Sequence, residues 1–235
     1  METMFDILNN ISNVIWVLFA VFIVLSLIYS VCKKPELCKN SEIDAVSTVH
    51  NDFSEYNKFL NENNFQYSDD VQASCSKKLE LCNAFLERNP DNKHAIMEKA
   101  FLYYKLGKYN EAISIYETEL DKIDNDNIFK DTYITCYACC LAESGNKNAA
   151  FDMLERFYKD KSAKYYLSIA SVYEALKEYG KAIDNCSTAI KYNPDDESAF
   201  RKRAKIYKIL NKNYDYNEDI KKADEIREKR MMPFK

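Results

Sequence analysis

Glycine and proline are nearly missing from this chain: there are 3 and 4 of them in 235 residues. Sheet-rich folds need many tight turns, and tight turns draw on these two residues. Their scarcity excludes most all-β and α/β architectures and leaves long helices joined by short polar turns. Histidine is almost as scarce. His50 and His94 are the only two, and neither stands in a catalytic or metal-ligand spacing. With so little glycine there is no phosphate-cradling loop, and neither dinucleotide nor P-loop pattern occurs. The formal net charge of −4 supplies no basic field for a phosphate backbone, so nucleic acid is not an expected partner. We therefore expect no enzyme: no catalytic residues, no cofactor and no metal ligands.

What the chain does have begins at its N-terminus. No charged residue occurs from Ile7 to Cys32, and Val14 to Leu25 is unbroken apolar sequence. Residues 11–32 are long enough to cross a hydrocarbon core of ~30 Å as a helix. Trp16 and Tyr29 lie towards its two ends, where amphipathic rings favour the headgroup level. The acidic start (Glu2, Asp6), the length of the apolar run and the lack of a small-x-small cleavage site favour an uncleaved anchor over a signal peptide. Lys33, Lys34 and Lys39 follow the span, which places the rest of the chain on the cytosolic side by the positive-inside rule. Seven of the 8 cysteines, from Cys38 onward, would then lie where thiols stay reduced; their irregular spacing suits small apolar fillers, not a disulfide framework. Cys32, at the membrane edge, is either a palmitoylation site or simply the end of the helix.

The remainder repeats itself. Aligning Ala95–Leu106, Tyr133–Ser144, Tyr165–Leu176 and Ala199–Leu210 gives a small-residue column of Ala100, Ala138, Ala170 and Ala204. Three residues on stand Tyr103, Leu141, Tyr173 and Tyr207; both columns step by 38, 32 and 34 residues. A second stretch adds Ala112, Ala150 and Ala182, then a bulky column of Tyr116, Leu154, Cys186 and Ile220. Asn89–Pro90 and Asn193–Pro194 end units, because the residue before proline is pushed out of the helical region. This is a helix–turn–helix unit whose alanines mark close crossings, and which buries its apolar face only by stacking on its neighbours.

The runs Tyr103–Glu117 and Tyr173–Pro194 resemble the tetratricopeptide repeat (TPR). The first carries the family's Leu106–Gly107 turn, Tyr109 and Ala112; the second carries Tyr173, Leu176, Tyr179, Ala182, Ala189 and Pro194. The resemblance covers about residues 92–227, with a half-repeat at 74–90 whose first helix is expected within 57–70. Departures are Lys147 for the aromatic after the second turn, and Asn211, Tyr216 and charged Arg203 in the last repeat. The expected layout is an all-α chain: a tail (1–10), a transmembrane helix (11–32), and a spacer with a helix (33–70). A TPR-type α-solenoid of three to four repeats plus a capping helix (71–228) and a tail (229–235) complete it. Within the spacer, 41–61 has helical spacing through Ile43, Val46, Val49, Phe53, Tyr56 and Leu60.

In the TPR family, ligands lie in a concave groove lined by the first helix of each repeat. The resemblance implies other proteins as partners, the bilayer being contacted through 11–32. Mapped here, that face comprises His94, Met97, Phe101 and Lys105, then Thr132, Thr135, Cys136 and Cys139, then Lys164, Ser168 and Ser171. Ser198, Arg201, Lys202, Lys205 and Lys208 complete it. Lys164, Ser168, Arg201, Lys202 and Lys205 are the candidate peptide-binding set, a basic end suited to acidic peptides. The family's carboxylate clamp for heat-shock chaperone C-termini is matched only in part. Lys202 or Lys164 fits, depending on register, while Thr135, Cys139, Ser168 and Ser198, or Met97, Phe101, Cys136 and Ser168, do not. Cys136, Cys139 and Cys140 have no second Cys/His pair near them in sequence to complete a zinc site. The expected function is a membrane-anchored adaptor or receptor, similar in layout to organelle import and translocation receptors. The alternatives are a membrane-tethered chaperone cofactor or a structural subunit of a membrane complex.

Overall fold

The computed structural model describes residues 52–123 and 127–231. The span 11–32 lies outside them; among the described residues no helix is long and apolar enough to cross a membrane. In chain order the helices are α1 (helical at 52–62), α2 (Val71–Arg88), α3 (Lys93–Lys105) and α4 (Tyr109–Glu119). After a short 3-10 turn, Leu120–Lys122, come α5 (Lys130–Glu143), α6 (Lys147–Phe157), α7 (Ala163–Ala175), α8 (Tyr179–Tyr192), α9 (Glu197–Ile209) and α10 (Asn213–Met231).

Each start and stop has a local cause. Asp70, Asn92, Ser162 and Asp196 cap α2, α3, α7 and α9 by accepting the first free backbone N–H groups. Asn89 and Asn193, each before a proline, end α2 and α8. Four hairpin turns share one hydrogen-bond pattern. Lys108 donates to the Tyr103 carbonyl, Asn146 to Leu141, Glu178 to Tyr173 and Lys212 to Tyr207, at 2.8–2.9 Å, and the residue before each donates three back. This is the Schellman closure, which needs a left-handed residue at its centre. Gly107 and Gly145 supply it in the first two turns; Lys177 (φ 60°) and Asn211 (φ 56°) adopt it without glycine's freedom.

The alanine columns lie where helices approach most closely. Ala100, Ala138, Ala170 and Ala204, and likewise Ala112, Ala150 and Ala182, have no exposed surface. Tyr116, Leu154 and Cys186 fill the space beside them, also fully buried. A further column at the same steps, Leu102, Cys140, Val172 and Ile206, is buried to 1% or less and forms the other half of the core. Within each hairpin the two helices pack together. Between hairpins, first helix meets first helix (α3 with α5, α5 with α7, α7 with α9), and each second helix leans on the next first helix. The described part of the chain is an all-α, TPR-like solenoid.

Both ends depart from the sequence expectation. The half-repeat has a complete partner: α1 begins ahead of the expected 57–70 window and overlaps its start, and it carries Tyr56 and Leu60 of the helical spacing read at 41–61, both buried against Cys75, Leu79, Cys82 and Phe85 of α2. Asp52 ties it to the next hairpin, since its carboxylate accepts from the Lys93 N–H (3.1 Å) and its carbonyl from Asn92 (3.1 Å). At the other end Ile220 is only half-buried, and α10 buries Asp219, Ala223 and Ile226 instead. Tyr216 stands where the other repeats place alanine, and Arg203 of α9 turns inward to meet Asp219. The Arg203–Asp219 pair joins α9 to α10.

Candidate interaction groove

The inner edges of α3, α5, α7 and α9 form one face, and its centre is more closed than the sequence implies. Met97 is fully buried, Cys136 and Cys139 are 7% and 3% exposed, and Ser168 is 3% exposed. Ser168 belongs to a polar network between α5 and α7. Its hydroxyl donates to the Lys164 carbonyl (3.0 Å) and contacts the hydroxyls of Thr135 (2.7 Å) and Tyr158 (3.2 Å). It has no surface left for a ligand, because Tyr158, arriving from the loop after α6, covers it.

The four cations of the predicted set each hold a carboxylate. Lys164 reaches Asp131 at 2.5 Å and Arg201 reaches Asp224 at 2.8 Å. Lys202 and Lys205, one turn apart on α9, converge on Glu174 of α7 at 2.6 and 2.8 Å, one ammonium on each carboxylate oxygen. Glu174 is more covered than an ordinary surface acid, and burial alone would raise its pKa. The two ammoniums outweigh that and hold it below the usual carboxylate range. The four cations predicted for a basic end are thus each paired with a carboxylate of the same chain. Periodicity assigns the lysines to one edge of α9; Glu174 was missed because an acid in a half-buried repeat position gives no signal of its own. Its spacing from Ser171, one turn earlier on the same edge, is the feature that could have found it.

The remaining chemistry-bearing groups are packing residues. His94 is ringed by Phe53 (4.9 Å), Phe129 (5.4 Å) and Tyr56 (5.8 Å), and desolvation lowers its pKa to about 4, so the ring is neutral at pH 7. Burial pushes the thiols the other way: Cys82 and Cys136 to about 11, Cys139 and Cys186 to about 12. All six described cysteines are free and buried. Among the described residues no cluster of His, Cys, Asp and Glu has the arrangement to hold a metal ion.

No family model matches the chain. The anaphase-promoting complex subunit CDC16 of Saccharomyces cerevisiae is 33% identical over 101 residues, covering 39% of this chain and 12% of that protein. The chain thus spans a small fraction of the relative's length. Among solved structures, MamA is similar at 20% identity with a TM-score of 0.40, covering 71% of this chain and 99% of that one. A tetratricopeptide repeat protein from Parabacteroides merdae shows 17% identity and a TM-score of 0.44, covering 75% and 78%. The TPR-like fold rests on the hairpins, the four Schellman turns and the buried alanine columns seen in this chain itself.

Proposed function

We propose that this chain is a membrane-anchored adaptor or receptor that binds other proteins along the inner face of its helical solenoid and catalyses nothing. The observation that carries the reading is the contact of four successive first helices edge to edge, α3 to α5 to α7 to α9, with second helices outside them. That arrangement presents one extended surface assembled from separate repeats, suited to a peptide or helix longer than any single pocket. The chemistry of the interior supports a binding role. A neutral, ring-packed histidine and thiols held protonated by burial are poor acids, bases and nucleophiles at pH 7. The apolar span 11–32 supports the anchor, and the lysines that follow it support a cytosolic solenoid. This layout suits recruitment of cytosolic protein to a membrane, with protein import or translocation as its narrower form.

The test has two parts, both on the full chain with a C-terminal tag. Membranes are extracted at alkaline pH and, separately, treated intact with protease. Resistance to extraction together with digestion of the tag is expected; release into the alkaline supernatant would sink the anchor. Chemical cross-linking in the same membranes should give discrete protein adducts, and a chain that cross-links to no protein would sink the binding role.

A further inference from the structure

Nine large apolar side chains are exposed among the described residues, and three of them share one turn. Ile209, Leu210 and Tyr214, between α9 and α10, are 45%, 37% and 76% exposed. The same places in the other three hairpins are covered, small or polar. By the repeat steps Leu210 corresponds to Leu106, Ser144 and Leu176, and both of those leucines pack against core side chains. Ile209 corresponds to Lys105, Glu143 and Ala175, and Tyr214 to Asn110, Asn148 and Gly180. Of these four turns, the last alone carries an apolar tip.

The tip is fixed in shape and flanked by cations. Lys212 N–H donates to the Tyr207 carbonyl (2.9 Å) and Asn211 N–H to the Lys208 carbonyl (3.1 Å), which closes the turn. Lys208 and Lys212 are both exposed, and among the described residues neither has a carboxylate partner. Their ammoniums lie over the rings of Tyr216 (5.9 Å) and Tyr207 (5.8 Å). Lys205, one turn earlier, is held by Glu174. Asp215, the first carboxylate beyond the tip, is half-buried and pairs with neither lysine.

We propose that the α9–α10 turn docks on the surface of an anionic bilayer. Ile209 and Leu210 enter the boundary between headgroups and acyl chains, Tyr214 lies at the headgroup level, and Lys208 and Lys212 meet the lipid anions. Charge and size select this occupant. The cations on the tip are unpaired, and their apolar stems let the ammoniums stay at the headgroups while the neighbouring side chains go deeper. Three side chains on one turn cover far less than the ~1,000 Å² of a specific protein interface. A bilayer needs only a few inserted apolar groups once cations add their attraction. The site is separate from the inner face, and it rests on the membrane reading above because the anchor keeps a bilayer within reach.

The test places a single tryptophan on the tip of the full chain, W16F with Y214W, reconstituted into vesicles with brominated acyl chains. One set is phosphatidylcholine alone and the other an equimolar mixture with phosphatidylserine. A control carries W16F with I128W, because Ile128 is exposed just before α5, at the other end of the first helices. The expected result is Y214W emission that is blue-shifted and quenched on the anionic vesicles, and largely unshifted on the neutral ones. I128W should be quenched on neither, and adding K208E and K212E to Y214W should abolish its quenching. An unquenched Y214W overturns the proposal, as does equal quenching of I128W, equal quenching on neutral vesicles, or quenching that ignores K208E and K212E. Should the charge variants lose their helical circular dichroism signal, I209S with L210S replaces them and must abolish the quenching. A discrete protein adduct from a photo-reactive residue at Tyr214, with no lipid quenching, also overturns it and assigns the tip to a protein. Alkaline extraction of the same vesicles separates the two readings. A chain that resists extraction but leaves Y214W unquenched keeps the anchor and loses this site, whereas a quenched Y214W on a chain released at alkaline pH keeps the site and loses the anchor.

Discussion

Arg203 of α9 and Asp219 of α10 form a two-pronged ion pair, with the guanidinium Nε and Nη2 donating to the two carboxylate oxygens at 2.8 and 2.7 Å. The third prong, Nη1, donates to the Ser187 hydroxyl of α8 at 2.8 Å. A charge that looks misplaced in an apolar repeat column is thus fully partnered, and one side chain ties three helices together. The Asp219 side chain is 8% exposed and that of Arg203 20%, so the carboxylate above all has little water to fall back on.

Removing one partner leaves the other stranded. D219A should destabilise the solenoid by about 2–4 kcal/mol, and the paired change R203M with D219L by clearly less. Urea unfolding followed by circular dichroism reads both. Equal losses for the single and double variants would show that the packing, not the charge pair, is what matters.

The alanine columns tolerate no added volume. A170L, at a position with no exposed surface between α7 and its neighbours, should cost about 1–3 kcal/mol by forcing the helices apart. A melting temperature unchanged within error would mean that the crossing there is looser than described.

Turn chemistry gives a change of opposite sign. Lys177 is exposed and sits at φ 60°, where a side chain is strained. K177G should stabilise by about 0.5–1 kcal/mol after glycine's extra unfolded-state entropy is offset. G145A, at φ 94°, should destabilise by about 1 kcal/mol or more. Thermal melts of the two variants should move in opposite directions.

Acid sensitivity has a named source. The His94 pKa is lowered on folding from 6.5 to about 4 by burial among aromatic rings. A depressed folded pKa means that the unfolded chain takes up the proton first. Stability is therefore full above about pH 6.5 and is lost as pH falls towards 4, by up to about 3 kcal/mol. Glu174, also held low, keeps its contribution above its ordinary value of 4.5 and loses it below, so most of the His94 window lies clear of it. Urea midpoints at pH 7.5, 6, 5 and 4 should fall steadily in the parent chain. In H94Q the slope between pH 6.5 and 5 should largely vanish.

Much of the fold is legible in the residues, and the reasons for what is not are physical. Ala100, Ala138, Ala170 and Ala204 announce the crossings because nothing larger fits, and Gly107 and Gly145 announce two turns by their backbone freedom. Lys177 and Asn211 make the same turn unannounced, since the backbone hydrogen bonds that enforce it leave no mark on side-chain type. The Leu102, Cys140, Val172 and Ile206 column is equally buried but chemically mixed, so alignment by residue type passes over it. The site was legible only in part. Lysines on α9 can be assigned to a helix face by periodicity, but their neutralisation by Glu174, and the burial of Ser168 under Tyr158, depend on how separate repeats meet.

The most direct test of the adaptor reading is where a partner touches the solenoid. A photo-reactive amino acid is placed at Phe101 or Ser171 on the inner face, and at exposed Glu155 or Asp184 on the second helices, in the full chain within its membranes. Strong adducts to the same protein from Phe101 and Ser171, and weak or none from Glu155 and Asp184, is the predicted result. Adducts only from the outer positions would contradict a binding role for the inner face.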